Sequence, residues 1–154
     1  MTQQLALAIG LHQLATLVWI GGMFFAHFAL RQAAQRTLEP PQRLRLMLGV
    51  FERFFVWVWL AVVVLWASGL WVFVGVYSGS MGWHVHTMMA LALLMTALFA
   101  YIYFVPYRAL ARRVAEQDWP AAAERLGRIR AVILINLLLG LVTAGLGSAG
   151  RYLA

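Results

Sequence analysis

Residues 54–107 read FFVWVWLAVVVLWASGLWVFVGVYSGSMGWHVHTMMALALLMTALFAYIYFVPY, without a single charged side chain. A helix needs about 20 mostly apolar residues to cross a bilayer, so this stretch holds two crossings if something breaks it. The run Tyr77-Ser78-Gly79-Ser80-Met81-Gly82 supplies the break, being rich in turn formers. Working outward, residues 2–30 and 131–150 are also uncharged, and each is long enough for one more crossing. The expected fold is therefore an all-α membrane protein: a four-helix transmembrane bundle forming one domain over residues 1–154. Its spans lie near 5–30, 54–77, 84–107 and 130–150, joined by loops at 31–53 and 108–129.

Composition agrees. Hydrophobic residues make up 64 % and charged residues 11 %, with a mean hydropathy of +0.81. A soluble domain is about 45–50 % apolar and about 25 % charged, and its core could not cover this much apolar surface. Disorder is excluded because disordered chains are poor in apolar residues. The chain has no cysteine, which removes disulfides, thiolate nucleophiles, iron–sulfur clusters and cysteine-ligated zinc. Histidine, methionine and carboxylates are left as metal ligands. No nucleophile–base pair, paired carboxylates, phosphate loop or dinucleotide fingerprint is present, so hydrolase and transferase chemistry have no support.

All twelve basic residues are arginine. Five lie in 31–53, six in 108–130, and Arg151 stands alone. The short loop at 78–82 and the amino-terminal segment have none. Because Lys and Arg concentrate on the cytoplasmic side, both arginine blocks are expected there, with both termini and the 78–82 loop on the other side, which is the periplasmic side if the membrane is a bacterial inner (cytoplasmic) one. The net charge of +7 then reads as orientation and contact with anionic lipid, not as nucleic-acid binding. The first span lacks a basic leader and is too long for a cleavable signal peptide.

The helices are expected to extend past the bilayer at the arginine end. Glu39-Pro40-Pro41 is a natural helix start that lets Gln42–Arg53 run into the second span. Asp118-Trp119-Pro120 is another, with Asp118 as cap. Leu44, Met47 and Leu126 should turn inward, and Glu52 and Arg53 should pair locally. A shift of 77 residues superimposes Arg31 on Arg108, Arg36 on Arg113, Glu39 on Glu116 and Arg53 on Arg130, as a duplicated helical hairpin would. Gly140, Ala144 and Ser148 form a small-residue ridge, as do Gly145 and Ala149, suited to close contact in the bundle or across a homodimer. Asn136, inside the fourth span, is expected to make a helix–helix hydrogen bond.

The four histidines carry most of the chemical information. His12, Thr16, Trp19, Met23 and His27 fall on one stripe of the first helix, and polar groups inside spans usually face the bundle interior. His12 and His27 lie about 22 Å apart along the axis and cannot share one small site. His84 and His86 open the third span on the same side as His12, pointing about 200° apart, with His86 the deeper. Two histidines from facing helices are how bundles hold cofactors, and histidine is a common axial ligand of haem iron. One reading is a single haem b between the first and third helices, with His12 and His86 as axial ligands, Trp19 beside it, and His84, Arg151 and Tyr152 near its propionates. A second reading uses the cluster Met81-Gly-Trp-His84-Val-His86-Thr-Met88-Met89. Imidazole and thioether donors suit cuprous copper, giving a copper site at the outer mouth with Met23 and His27 as a relay below. That reading calls on both histidines of the pair. The bland readings are interfacial anchoring for His84 and His27, gap-filling for the methionines and an aromatic belt for Trp71, Tyr77, Trp83, Tyr101 and Tyr103.

The first helix, LHQLATLVWIGGMFFAHFALR, resembles the opening helix of the CopD family of bacterial inner-membrane proteins, with its Leu-His, a Trp seven residues on, then Gly-Gly. The spacing of His12, Trp19, Gly22 and Phe24 also resembles the HemJ family of haem-binding protoporphyrinogen oxidases. The third helix, HTMMALALLMTALFAYIYFVPYRAL, is similar to both. There those families commonly carry lysine where this chain has His86, and HemJ continues with a Leu-Pro-Arg motif absent here. The resemblance implies copper uptake or resistance on the CopD side and haem binding on the HemJ side. The sequence thus favours an inner-membrane haem b protein transferring electrons between quinol and a periplasmic acceptor, a haem-dependent membrane oxidoreductase if it is an enzyme. The alternatives are a copper-binding or copper-transporting protein that meets a periplasmic copper carrier, and a cofactor-free accessory subunit.

Overall fold

The computed structural model describes residues 2–76 and 82–152, without the side chain of Arg151. Four long helices fill it: α1 (Thr2–Thr37), α2 (Pro40–Val76), α3 (Trp83–Ala115) and α4 (Trp119–Ala149). Each carries a window apolar enough to cross a bilayer. A short 3-10 turn, Gly150–Tyr152, follows α4. No strand occurs among the described residues.

The joints at the arginine end are shorter than the sequence suggests. Residues 31–36, Arg-Gln-Ala-Ala-Gln-Arg, are good helix formers, so α1 continues through the first arginine block instead of opening into a loop at 31. Glu39 is extended, as a residue before proline must be, and its N–H donates to Gln42 Oε1 at 3.3 Å. Helix α2 then runs unbroken from Pro40 through Arg53 into the span. Asp118 caps α4 by accepting from the Ala121 N–H at 3.2 Å. Leu44, Met47 and Leu126 are buried, as their spacing implied.

The α3–α4 turn holds a local conflict. The Asp118 N–H donates to the Arg113 carbonyl at 3.0 Å and the Gln117 N–H to that of Val114 at 3.2 Å. This is the Schellman pattern, whose pivotal residue favours glycine. Gln117 occupies it at φ 57°. Gln117→Gly is therefore expected to stabilise the protein by about 1 kcal/mol, seen as a raised unfolding midpoint in detergent; a lowered midpoint would contradict the strain.

Helix α1 packs along α2, and α3 along α4; α4 also touches α1 and α2, and α2 meets α3 at the arginine end. Gly22 admits the Phe54 ring onto the α1 backbone, where any Cβ would collide with it. At the centre, Phe99 is edge-on to Trp19 (6.2 Å between ring centroids), Phe55 (5.4 Å) and Trp59 (5.0 Å). These rings tie α1, α2 and α3 together. Outward, Leu7, Val63, Val74 and Leu93 are each more than 60 % exposed, an apolar belt that a lipid bilayer covers and water would not.

Of four π-helical stretches among the described residues, two, Phe25–Leu30 in α1 and Tyr103–Tyr107 in α3, fall near positions related by the 77-residue shift, while Leu17–Gly21 and Trp71–Val76 have no such counterpart. The Tyr103–Tyr107 stretch absorbs Pro106, which lacks the N–H for a regular helix. The related two each precede the first arginine of a block, in line with a duplicated hairpin.

Two expectations are corrected. Glu52 and Arg53 form no ion pair, since adjacent residues on a helix diverge; the ion pairs among the described residues are Arg113–Glu116, Arg113–Asp118 and Arg128–Glu124. Asn136 is 1 % exposed, yet neither its Oδ1 nor its Nδ2 has a hydrogen-bond partner among the described residues. Asn136→Leu, close in shape, should stabilise the fold by about 1–2 kcal/mol by removing an unpaired amide. A destabilised variant would show that the amide is satisfied by bound water.

Candidate functional site

The stripe expected on α1 faces inward. Trp19 and Met23 are 3 % exposed, with Thr16, His12 and His27 half-buried along the same line. His12 leans on α2. Its Nδ1 lies 3.0 Å from Ser68 Oγ, and Ser68 donates its own hydrogen to the Val64 carbonyl at 2.5 Å. With the Ser68 hydrogen directed to a backbone carbonyl, this contact suits a His12 tautomer that carries its hydrogen on Nδ1. Gly69 makes room, since a Cβ there would come 3.3 Å from His12 Cε1. Sequence reasoning missed Ser68; its signal was a polar residue between Ala67 and Gly69 in an otherwise apolar run.

His86 also turns to α2. Its ring stands edge-on to Phe73 at 5.5 Å, it is exposed, and its Nδ1 lies 3.4 Å from the Gly82 carbonyl. His12 and His86 therefore sit on neighbouring turns of α2, with no ring contact between them. Further in, the α1–α3 approach is taken by Trp19 against Phe99. A haem clasped between α1 and α3 needs two rings facing each other across that gap. This arrangement does not support it, and Trp19 is a core residue here. The side chain of Arg151 lies outside the described residues, so its expected propionate contact has no geometry.

His84 faces the opposite way, onto the 3-10 turn that follows α4. It packs against the backbone of Gly150, where an added Cβ would lie 2.8 Å from His84 Cβ and 3.0 Å from Cγ. Its Nδ1 is buried over Gly82, where a Cβ would come within 2.9 Å, and has no hydrogen-bond partner among the described residues. Met88, one turn along the same face of α3, packs against Gly147, its Sδ 3.7 Å from where a Cβ would stand. Three turns in from His84, Met95 continues the face, 3 % exposed, against Gly140 and Thr143. An imidazole and two thioethers thus line the α3–α4 seam, which glycines on α4 keep open. Met95 was not singled out from sequence, though its seven-residue spacing from Met88 was visible. Met81 lies outside the described residues. Among those described, no three His, Asp or Glu side chains converge, so any metal site must draw on methionine.

The pairing of His84 with His86 is not what the helix delivers. Their directions diverge, one to the turn after α4 and one to α2, as two positions two apart on a helix must. His27 does not continue a copper path. It lines a cavity with Arg31 and Arg130, where a cation is repelled.

The architecture defines a class: a multi-pass four-helix membrane protein with His12, His84, His86 and Met88 towards one end and eleven of its twelve arginines at the other. The family model for copper resistance protein D, CopD, matches residues 48–149, so the chain belongs to the CopD family of inner-membrane proteins. The match begins at Leu48, inside α2, and runs to the end of α4; the opening-helix residues on which both resemblances drew precede it, and no comparison shows the HemJ family. No curated protein and no solved structure matches the chain.

Proposed function

We propose that the protein handles cuprous copper as cargo at the outer mouth of the bundle, taking it on His84 and Met88, with Met95 as the next donor inward. The observation that carries this reading is the buried Nδ1 of His84, without a hydrogen-bond partner among the described residues, on a residue one helical turn from Met88 in α3. An unpaired buried nitrogen is costly unless something binds it, and soft thioether with imidazole selects Cu(I). Family membership points the same way. This end of the bundle carries Arg151 alone against eleven arginines at the other, a bias that supports reading it as periplasmic, where a periplasmic copper-carrying protein would deliver or collect metal. Met81, beside them in sequence, belongs to the same proposed donor set.

The test is titration of the detergent-purified protein with Cu(I) against a chromophoric chelator. The expected result is saturable binding near one copper per chain, with sulfur and nitrogen scatterers by X-ray absorption. Failure to compete with the chelator at any ratio would overturn the proposal.

A further inference from the structure

The opposite end of the bundle gathers positive charge without counter-ions. A cavity there is lined by Ala26, His27 and Arg31 of α1, Met47 and Phe51 of α2, and Arg130 and Ile133 of α4. It adjoins, through Arg31, an open hollow formed by Arg31, Gln32, Gln35 and Arg36. Arg130 lies within electrostatic reach of both Arg31 and Arg43, and His27 of Arg31 and Arg130. The Nε atoms of Arg31, Arg43 and Arg130 are buried, and none has a hydrogen-bond partner.

Nothing acidic answers this charge. Glu116 and Asp118 pair with Arg113, and Glu124 pairs with Arg128. Glu39 sits at the start of α2. Glu52 is exposed, on the side of α2 that faces Tyr107 of α3. Half-buried guanidinium groups from three helices repel one another unless an anion sits between them. Guanidinium forks match phosphate oxygens in pairs.

We infer that His27, Arg31 and Arg130, with Arg36 at the adjoining hollow, form a binding cleft for a phosphate group at the arginine end of the bundle. The apolar walls of Met47, Phe51 and Ile133, and the exposed Phe24, Phe25 and Phe28 of the neighbouring turns, suit a phosphate that carries an acyl chain. Basic clefts between spanning helices hold anionic headgroups in this way. A free phosphate offers the same oxygens, so the experiment separates the two sources. The cleft does not depend on the copper reading, since it shares no residue with it.

The test is native mass spectrometry of the full chain released from detergent, titrated in separate arms with phosphatidylglycerol, phosphatidylcholine and inorganic phosphate. The variants are Arg31→Gln, Arg130→Gln, and Arg128→Gln as a control whose partner is Glu124 on the exposed side of α4. Retained copper binding, or an unchanged elution volume, verifies that each variant is folded. The expected result is at least about tenfold preference for phosphatidylglycerol over phosphatidylcholine, lost in Arg31→Gln and Arg130→Gln and kept in Arg128→Gln. Phosphate binding with the same variant pattern and no lipid preference would support the cleft with a soluble source. A lipid preference that survives both cleft variants, or binding in no arm, would overturn it.

Discussion

His84→Ala is expected to weaken Cu(I) binding by at least about tenfold, and Met88→Leu by a similar factor, while His86→Ala leaves it within about twofold. The asymmetry between the histidines is the informative part. His84 has a buried nitrogen without a partner among the described residues and packs on the turn after α4, whereas His86 is exposed and already leans on Phe73. If neighbouring histidines acted only as a generic polar mouth, both substitutions would matter equally. Met88→Leu keeps volume and removes only the thioether, so its effect reports ligation and not packing. Competition with a cuprous chelator measures all three, and equal losses for His84→Ala and His86→Ala would refute the assignment.

Phe99→Ala should destabilise the bundle by on the order of 3 kcal/mol. Phe99 touches Trp19, Phe55 and Trp59, which belong to two other helices. Lipid removes most of the hydrophobic drive for helix association, so packing carries the load, and the lost ring leaves a cavity among rigid neighbours. Phe25→Ala, at a residue 59 % exposed to the lipid side, should be nearly neutral. Unfolding in mixed detergent measures both, and a loss under about 1 kcal/mol for Phe99→Ala would mean that the neighbouring rings collapse into the gap.

Much of the fold was legible from charge placement. Uncharged stretches of spanning length located four helices, and the Glu39-Pro40-Pro41 and Asp118-Trp119-Pro120 starts placed two amino termini. The extension of α1 to Thr37 was not read, because an arginine-rich segment at a span end is equally compatible with loop and helix. Inward stripes were legible from periodicity, and Trp19 and Met23 lie where it put them. What periodicity could not give is which neighbour a stripe meets. His12 and His86 were both assigned to the bundle interior, but interior positions on α1 and α3 each border α2, and both rings lean there. The divergence of His84 and His86 was computable from the helical turn; that His84 meets the turn after α4 required the glycines at 147 and 150 to be seen as seats for side chains. Ser68 and the unpartnered Asn136 were not legible, since a polar residue in a span has no partner until the helices are packed.

The most direct measurement is an absorption spectrum of the detergent-purified protein, oxidised and then dithionite-reduced, with iron and copper counted on the same sample after Cu(I) loading and removal of excess. The account expects no haem bands and about one copper per chain, lost with His84. A sharp α-band on reduction with stoichiometric iron would contradict it, and would mean that His12 and His86 turn from α2 to face a macrocycle.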